Sequence, residues 1–149
     1  MVSIRPIQRE DFDVWLPLWQ AYLDFYEVEI SDEVTRFTFD RLNVPGTSMF
    51  GVLAVTETGE AVGLVHWVTH PGTWSMKDSC YLEDLFVDSR SRGQGVGRAL
   101  IAYVEDWATA ESCARVYWLT AQSNVTAQKL YDRVAQKTGF IQYQIPIEG

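Results

Sequence analysis

The spacing of apolar residues along the chain switches between a period of two and the helical period of about 3.6. Residues 2–7 read as a first strand. Phe12, Trp15, Leu16, Trp19, Tyr22, Leu23 and Tyr26 then fall on one helix face. Pro17 within that pattern predicts a kink, or a restart near Leu16. Ser31-Asp32-Glu33 supplies a cap and first-turn acids for a second helix, expected to run to about Asn43, where Pro45-Gly46 stops it. Residues 49–56 and 61–70, joined by Glu57-Thr58-Gly59-Glu60, predict a hairpin, and residues 71–77, with Trp74, a loop. Residues 81–87 form an apolar run of strand length. From Val96 a further helix presents Val96, Ala99, Leu100, Tyr103, Val104 and Trp107, with Arg98, Glu105 and Asp106 off that face. Residues 116–120 read as a short buried strand and residue 124 to about 136 as a helix. Residues 140–147 alternate like a closing strand, with Pro146 pushing its end to a sheet edge. The order βααβββαβαβ, with a parallel crossover, predicts an α/β sandwich. No repeat or composition break divides residues 1–149, which are expected to form one domain.

Composition narrows the function. The chain carries 20 acidic against 12 basic residues, a net charge of −8, so a duplex nucleic-acid surface is not expected and a cationic partner suits it better. Cys80 and Cys113 are too few for a disulfide framework and read as small core residues. His66 and His70 share a strand face without an acid or cysteine at ligand spacing, so no metal site is expected. No apolar run is long enough to span a bilayer, and Met1-Val2-Ser3-Ile4-Arg5 has no signal-peptide pattern; a reducing cytoplasm is the expected location.

Against this acidic background Arg92-Gly93-Gln94-Gly95-Val96-Gly97 reverses the local sign, with Arg90 and Arg98 on either side. A glycine loop entering a helix leaves backbone N–H groups unpaired at the positive end of the dipole, which makes an anion site suited to a pyrophosphate. A mere turn needs fewer glycines. A dinucleotide fingerprint requires G-x-G-x-x-G and an acid closing the next strand; the spacing here is G-x-G-x-G, and Thr120-Ala121-Gln122 stands where the acid belongs. A Walker loop requires Gly-Lys-Ser/Thr, which does not follow.

The loop resembles the acyl-CoA loop R/Q-x-x-G-x-G/A of the GNAT acetyltransferase superfamily, with Arg92, Gly95 and Gly97 at its fixed positions. Asn124-Val125-Thr126-Ala127-Gln128-Lys129-Leu130-Tyr131 resembles its second signature, N-x-x-A-x-x-L/F-Y. The likeness runs nearly end to end and is nearest to the fungal histone/polyamine acetyltransferases and, further off, the diamine acetyltransferases, on Y-L-E-D-L-F-V, V-Y-W-L-T and D-F-Y-E-V. It implies the GNAT fold and an enzyme moving an acetyl group from acetyl-CoA to a primary amine, a polyamine or similar small cation first, a protein lysine or amino acid second. A non-catalytic acyl-CoA sensor is the rival from another class. The family also suggests a homodimer, with which the alternating Ile141, Tyr143, Ile145 and Ile147 are compatible. One departure stands out: Ala135-Gln136 occupies the family's Gly-Phe position and Gly139-Phe140 comes later, so the chain after Tyr131 is expected to be remodelled.

The chemistry requires a held cofactor, a deprotonated amine, a donor for the developing oxyanion and a proton for the leaving thiolate. Arg92, Gly93, Gln94, Gly95, Val96, Gly97 and Arg98 are the candidates for the first. Leu85, Phe86 and Val87 are candidates through their backbone, with an oxyanion donor near Leu85 or Phe86 if the strand splays from its neighbour, as the resemblance implies. An alkylammonium with a pKa of about 10.4 must lose a proton before attack. Glu83 and Asp84 are adjacent acids in an apolar strand, costly unless paired or used, and alternation directs only one of them into the cleft. Periodicity does not choose between them; the resemblance implies Glu83 as base, leaving Asp84 to anchor a loop or bind a cation. It also implies that Asn124 and Ala127 line the cofactor arm and that Tyr131 lies near the sulfur. Tyr26 and Glu27, where acids oppose a helix dipole, are candidate acceptor-binding residues with Asp84.

Overall fold

The computed structural model describes residues 1–148, and the chain divides into two compact units, Met1–Leu119 and Thr120–Gly149. The first unit holds a five-stranded sheet in the order β1-β2-β3-β4-β5: β1 Val2–Pro6, β2 Met49–Thr56, β3 Ala61–His70, β4 Ser79–Val87 and β5 Arg115–Tyr117. Neighbours from β1 to β4 are antiparallel and β5 is parallel to β4. The sheet is therefore mixed, and the α/β class holds.

Alternation along the strands sorts the sheet's two faces. Leu53, Val55, Leu64 and Phe86 pack with Trp15, Leu18 and Trp19 of α1 (Phe12–Phe25) and Phe39 of α2 (Asp32–Leu42). The intervening residues face α3 (Val96–Ala110), whose Val96, Leu100, Val104 and Ala108 are buried at the four-residue spacing of one helix stripe. The Ser31 hydroxyl caps α2 by accepting from the Val34 N–H at 3.2 Å. Arg5 grips Asp11 with two parallel bonds of 2.7 and 2.9 Å, fixing the turn that delivers the chain from β1 into α1.

Pro17 does not interrupt α1, which runs unbroken from Phe12 to Phe25. Proline removes a single helical N–H bond, and the buried aromatic side chains on either side, Trp15 and Trp19, stack 5.4 Å apart and carry the helix through.

In the second unit α4 spans Val125–Val134. The strand expected at residues 140–147 is absent: Phe140, Ile141, Tyr143, Ile145 and Ile147 are 79–95% exposed and the segment joins no sheet. Alternation gives a segment two faces, but a strand also needs a neighbour for its backbone, and none of the described strands pairs with it. The element order thus ends on α4. Among the described residues no helix is long and apolar enough to cross a membrane.

Gly63 sets how closely the start of α3 approaches the sheet: a Cβ there would lie 3.1 Å from Leu100 Cδ1, 3.2 Å from Val96 Cγ1 and 3.3 Å from the Phe86 carbonyl oxygen. Gly63→Val is expected to push the first turns of α3 outward and cost about 1–3 kcal/mol, measured as a lowered urea midpoint; an unchanged midpoint would show that α3 has room to shift.

Candidate active site

The pairing of β4 with β5 is confined to three residue pairs, Ser79–Arg115, Cys80–Val116 and Tyr81–Tyr117. Beyond Tyr81, β4 continues to Val87 with β3 alone beside it. The Asp88 N–H donates to the Val62 carbonyl at 2.8 Å, so antiparallel alternation turns the backbone of Phe86 and Asp84 toward β3. The N–H and C=O groups of Leu85 and Val87 consequently lie on the opposite, unpaired edge. Arg92 Nε donates to the Val87 carbonyl at 3.1 Å, so the glycine loop lies along this edge. The splay expected between β4 and its neighbour is present. Among the strand residues expected near the cofactor, Phe86 has its backbone in the β3 ladder, and its ring packs edge-on to Tyr22 at 6.1 Å.

The loop has the geometry of a cradle. Gly93 and Gly95 have φ of +78° and +81°, in the left-handed region that favours glycine, and a Cβ on either would meet nothing within 4 Å. Gly95 is the N-cap of α3 and offers no side chain to its first turn. Among the described residues no backbone carbonyl accepts from the N–H groups of residues 94–98. Val96 is buried and anchors the turn, while Arg92, Gly93, Gln94, Gly95 and Arg98 are exposed and Gly97 half-buried. The three arginines differ. Arg90 is spent on Asp88 (2.8 Å) and Glu60 (2.6 Å), Arg92 lies over the rings of Phe25 and Phe86 at 5.6 and 5.5 Å, and Arg98 has no ion pair among the described residues. An open cradle, uncapped helix N–H groups and the unpaired edge of β4 together fit the diphosphate and amide groups of an acyl-CoA.

The two acids of β4 separate at a bulge. His66 pairs with Asp84 and Trp67 with Leu82, so Glu83 is the extra residue. Asp84 turns to the α1 face, where Tyr22 Oη donates to its Oδ1 at 2.7 Å and His66 Nδ1 meets its Oδ2 at 2.9 Å. Trp15 Nε1 donates in turn to His66 Nε2 at 3.1 Å. Glu83 reaches solvent, yet the surrounding protein desolvates its carboxyl and, with the neighbouring Asp84 charge, pushes its pKa above the ordinary value; Tyr81 and His66 pull the other way. The Tyr81 phenol is pushed up to about 12, by burial first and the Glu83 charge second.

At the C-terminal end of α1, Tyr26 packs edge-on to Tyr22 with centroids 5.2 Å apart, and Asp24, Glu27, Val28 and Glu29 line an open hollow. Glu27 stands at φ +55° and closes the helix as glycine usually does: its N–H bonds the Asp24 carbonyl and the next N–H reaches Leu23.

In the second unit Asn124 caps α4, its side chain accepting from the Ala127 N–H at 3.3 Å; its NH2 donors remain for another acceptor. Asn124, Ala127 and Tyr131 share one half-buried helix face.

Sequence reading missed Trp15, Tyr22 and His66 as members of the site, taking the first two for core and the third for an ordinary strand histidine. A polar ring in an apolar strand, opposite a helix rich in Trp and Tyr and beside an acid pair, was the available signal.

The model of the acetyltransferase (GNAT) family matches residues 15–135. The D-amino-acid N-acetyltransferase HPA3 of Saccharomyces cerevisiae is 37% identical over 144 residues, covering 96% of this chain and 89% of that protein. An aminoglycoside N(6')-acetyltransferase type 1 of Klebsiella aerogenes is 28% identical over 117 residues, 74% of this chain and 72% of its own. Among solved structures, AAC(6')-Iy in complex with the bisubstrate analog CoA-S-monomethyl-acetylneamine superposes with a TM-score of 0.86 at 19% identity, covering 99% of each chain, which is a likeness of fold.

Because a left-handed backbone strains a residue with a Cβ, Glu27→Gly is expected to raise unfolding stability by up to about 1 kcal/mol in urea; a loss of stability would mean that the Glu27 side chain itself holds the turn.

Proposed function

The chain belongs to the acetyltransferase (GNAT) family and is an N-acetyltransferase that uses acetyl-CoA; from that premise we propose that its acceptor is a small cationic primary amine, polyamines foremost, attacked directly in a ternary complex. The observation that carries this is the acidic end of α1: Asp24, Glu27 and Glu29 line the hollow, and Tyr22, less than one turn before Asp24, is bonded to the neighbour of Glu83. An acceptor bearing several ammonium groups could rest one on this rim while presenting another to the base. Tyr26 and Glu27 are the side chains we assign to its binding. Asp84, with both oxygens engaged by Tyr22 and His66, fits an anchoring role better than a binding one.

Acetyl-CoA supplies the acetyl group as an activated thioester. The residues divide the remaining work. Arg92, Arg98 and the amides of residues 93–97 hold the diphosphate, and Asn124 and Ala127 accommodate the amide arm. Glu83, directly or through water, removes a proton from the ammonium, and the unpaired N–H of Leu85 or Val87 donates to the carbonyl oxygen as charge develops there. Tyr131 donates to the departing sulfur. A phenol near pKa 10 against a thiol near 8.5 makes complete transfer uphill by about 2 kcal/mol, so a hydrogen bond suffices while the amine's own proton ends on sulfur.

A second reading, an amino acid as acceptor, is favoured by the 37% identity to the yeast D-amino-acid N-acetyltransferase. Both units are read as one domain, since the family match at residues 15–135 crosses the boundary between them. The exposed alternating residues 141–147 support a homodimer in which this segment pairs with the sheet edge of a second copy, and the free thiols Cys80 and Cys113 accord with residence in the cytoplasm.

CoA release measured against spermidine, D- and L-amino acids and lysine peptides tests the acceptor: the highest kcat/KM is expected with the polyamine, and preference for an amino acid would overturn that choice. Glu83→Gln should lower kcat/KM by about 10²–10⁴-fold. Tyr131→Phe is expected to lower kcat while leaving acetyl-CoA affinity within twofold of wild type by calorimetry; an unchanged kcat would remove Tyr131 from the mechanism.

A further inference from the structure

Resting on the reading of Glu83 as base, we infer that Trp15, His66 and Tyr22 are positioning residues of the reaction: they clamp the Asp84 carboxylate beneath the β4 bulge and so keep a fixed negative charge beside Glu83. The chain of contacts leaves little freedom. An indole N–H can only donate, so the 3.1 Å contact from Trp15 Nε1 makes His66 Nε2 an acceptor and puts the ring proton on Nδ1. From there it points at Asp84 Oδ2, 2.9 Å away, while the Tyr22 hydroxyl takes Oδ1 at 2.7 Å. Trp15 is wholly buried and His66 is 2% exposed, with the rings of Trp15 and Trp19 at 6.1 and 5.6 Å, so the imidazole is held in place. Side chains of two separate elements, α1 and β3, are thus spent on fixing one carboxylate of β4.

A network serving only to hold α1 on the sheet would not call for a charge at position 84. Asparagine there would still accept from Tyr22, and apolar packing of equal volume is often as stabilising as a buried charge network. The added charge instead stands one residue from a second carboxylate, where it disfavours ionisation of that neighbour. The groups about Glu83 are Asp84 and Tyr81 on its own strand, His66 on β3 and Tyr22 on α1. Burial strengthens the hold of Glu83 on a proton and the Asp84 charge adds to it, while the Tyr81 hydroxyl weakens it. A carboxylate with greater proton affinity is a better acceptor for the proton of an alkylammonium, which passes from the amine nitrogen to a Glu83 oxygen.

The first test uses the wild-type chain. Its ¹⁵N spectrum at neutral pH should report the His66 ring proton on Nδ1 and an unprotonated Nε2; a proton on Nε2 overturns the clamp. The second compares ¹³C titrations of the Glu83 carboxyl in wild type and Asp84→Asn. Removing the charge should move the Glu83 titration to lower pH, and the acid limb of kcat/KM should move the same way. A folded Asp84→Asn protein whose Glu83 titrates as in wild type overturns the proposal. Should Asp84→Asn not fold, the His66 spectrum still decides. The base reading fails separately: full turnover by Glu83→Gln would dismiss Glu83 as base without altering either spectrum.

Discussion

The pairing between β4 and β5 ends after three residue pairs, and the architecture around the site follows from that one interruption. A β-strand buried in a sheet has every backbone group engaged and nothing to offer a ligand. By parting from β5 after Tyr81, β4 keeps its β3 ladder and so its stability, yet frees the N–H and C=O of Leu85 and the N–H of Val87 along one edge. The chain then turns through the glycine loop into α3, whose uncapped first turn adds more unspent N–H groups at the end of the same strand. Arg92 joins these two features by donating to Val87 while its guanidinium lies over Phe25 and Phe86. Such an edge is ordinarily a liability for aggregation. Here it is short, curved by the bulge at Glu83, and suited to a ligand that supplies its own amides.

The bulge resolves a problem that strict alternation sets. Consecutive acids on a regular strand point to opposite faces, and one of them would be sunk into apolar packing. With an extra residue at Glu83, Asp84 swings onto the α1 face, where Tyr22 and a His66 held by Trp15 receive it, and Glu83 stays at the solvent side. The Tyr22 phenol, raised well above its ordinary pKa by burial and then by Asp84, remains a donor throughout the physiological range. The acid pair is therefore divided in kind: one member saturated and fixed, the other accessible and raised in proton affinity. Environment, rather than residue type, separates their roles.

Most of the fold was legible because it rests on local signals. The hairpin of β2 and β3, the Ser31 cap, the stripe Val96-Leu100-Val104 and the glycine loop each announce themselves within a few residues. What stayed hidden depends on distant partners. A bulge is a property of register between strands, so neither the turning of Asp84 toward α1 nor the exclusion of Phe86 from the open edge can be read along β4 alone. Trp15 and His66 are 51 positions apart, and each looks like plain core by its neighbours. The segment at residues 140–147 has the converse character: its alternation is unmistakable, but pattern defines faces and cannot provide the second strand that would make it one. Arg90 shows the same limit for charge. Sequence counts it with the anion loop, while Asp88 and Glu60 claim it.

That claim sharpens a question raised by the composition: how a chain of net charge −8 attracts a ligand rich in phosphates. Long-range steering would work against it, but at physiological ionic strength exposed charges fade beyond about 8 Å, so only the immediate surroundings of the loop matter. Within that radius lie the positive end of α3, the free backbone amides and the guanidinium of Arg92, with Arg98 in the first turn. By holding Asp88 in a paired state, Arg90 cancels the nearest acid to the loop without itself being available to a phosphate. The acids of the α1 hollow, Asp24, Glu27 and Glu29, form a separate negative patch. Opposite charges are sorted over short distances in one small protein, and the sorting is done by pairing and backbone geometry rather than by overall charge.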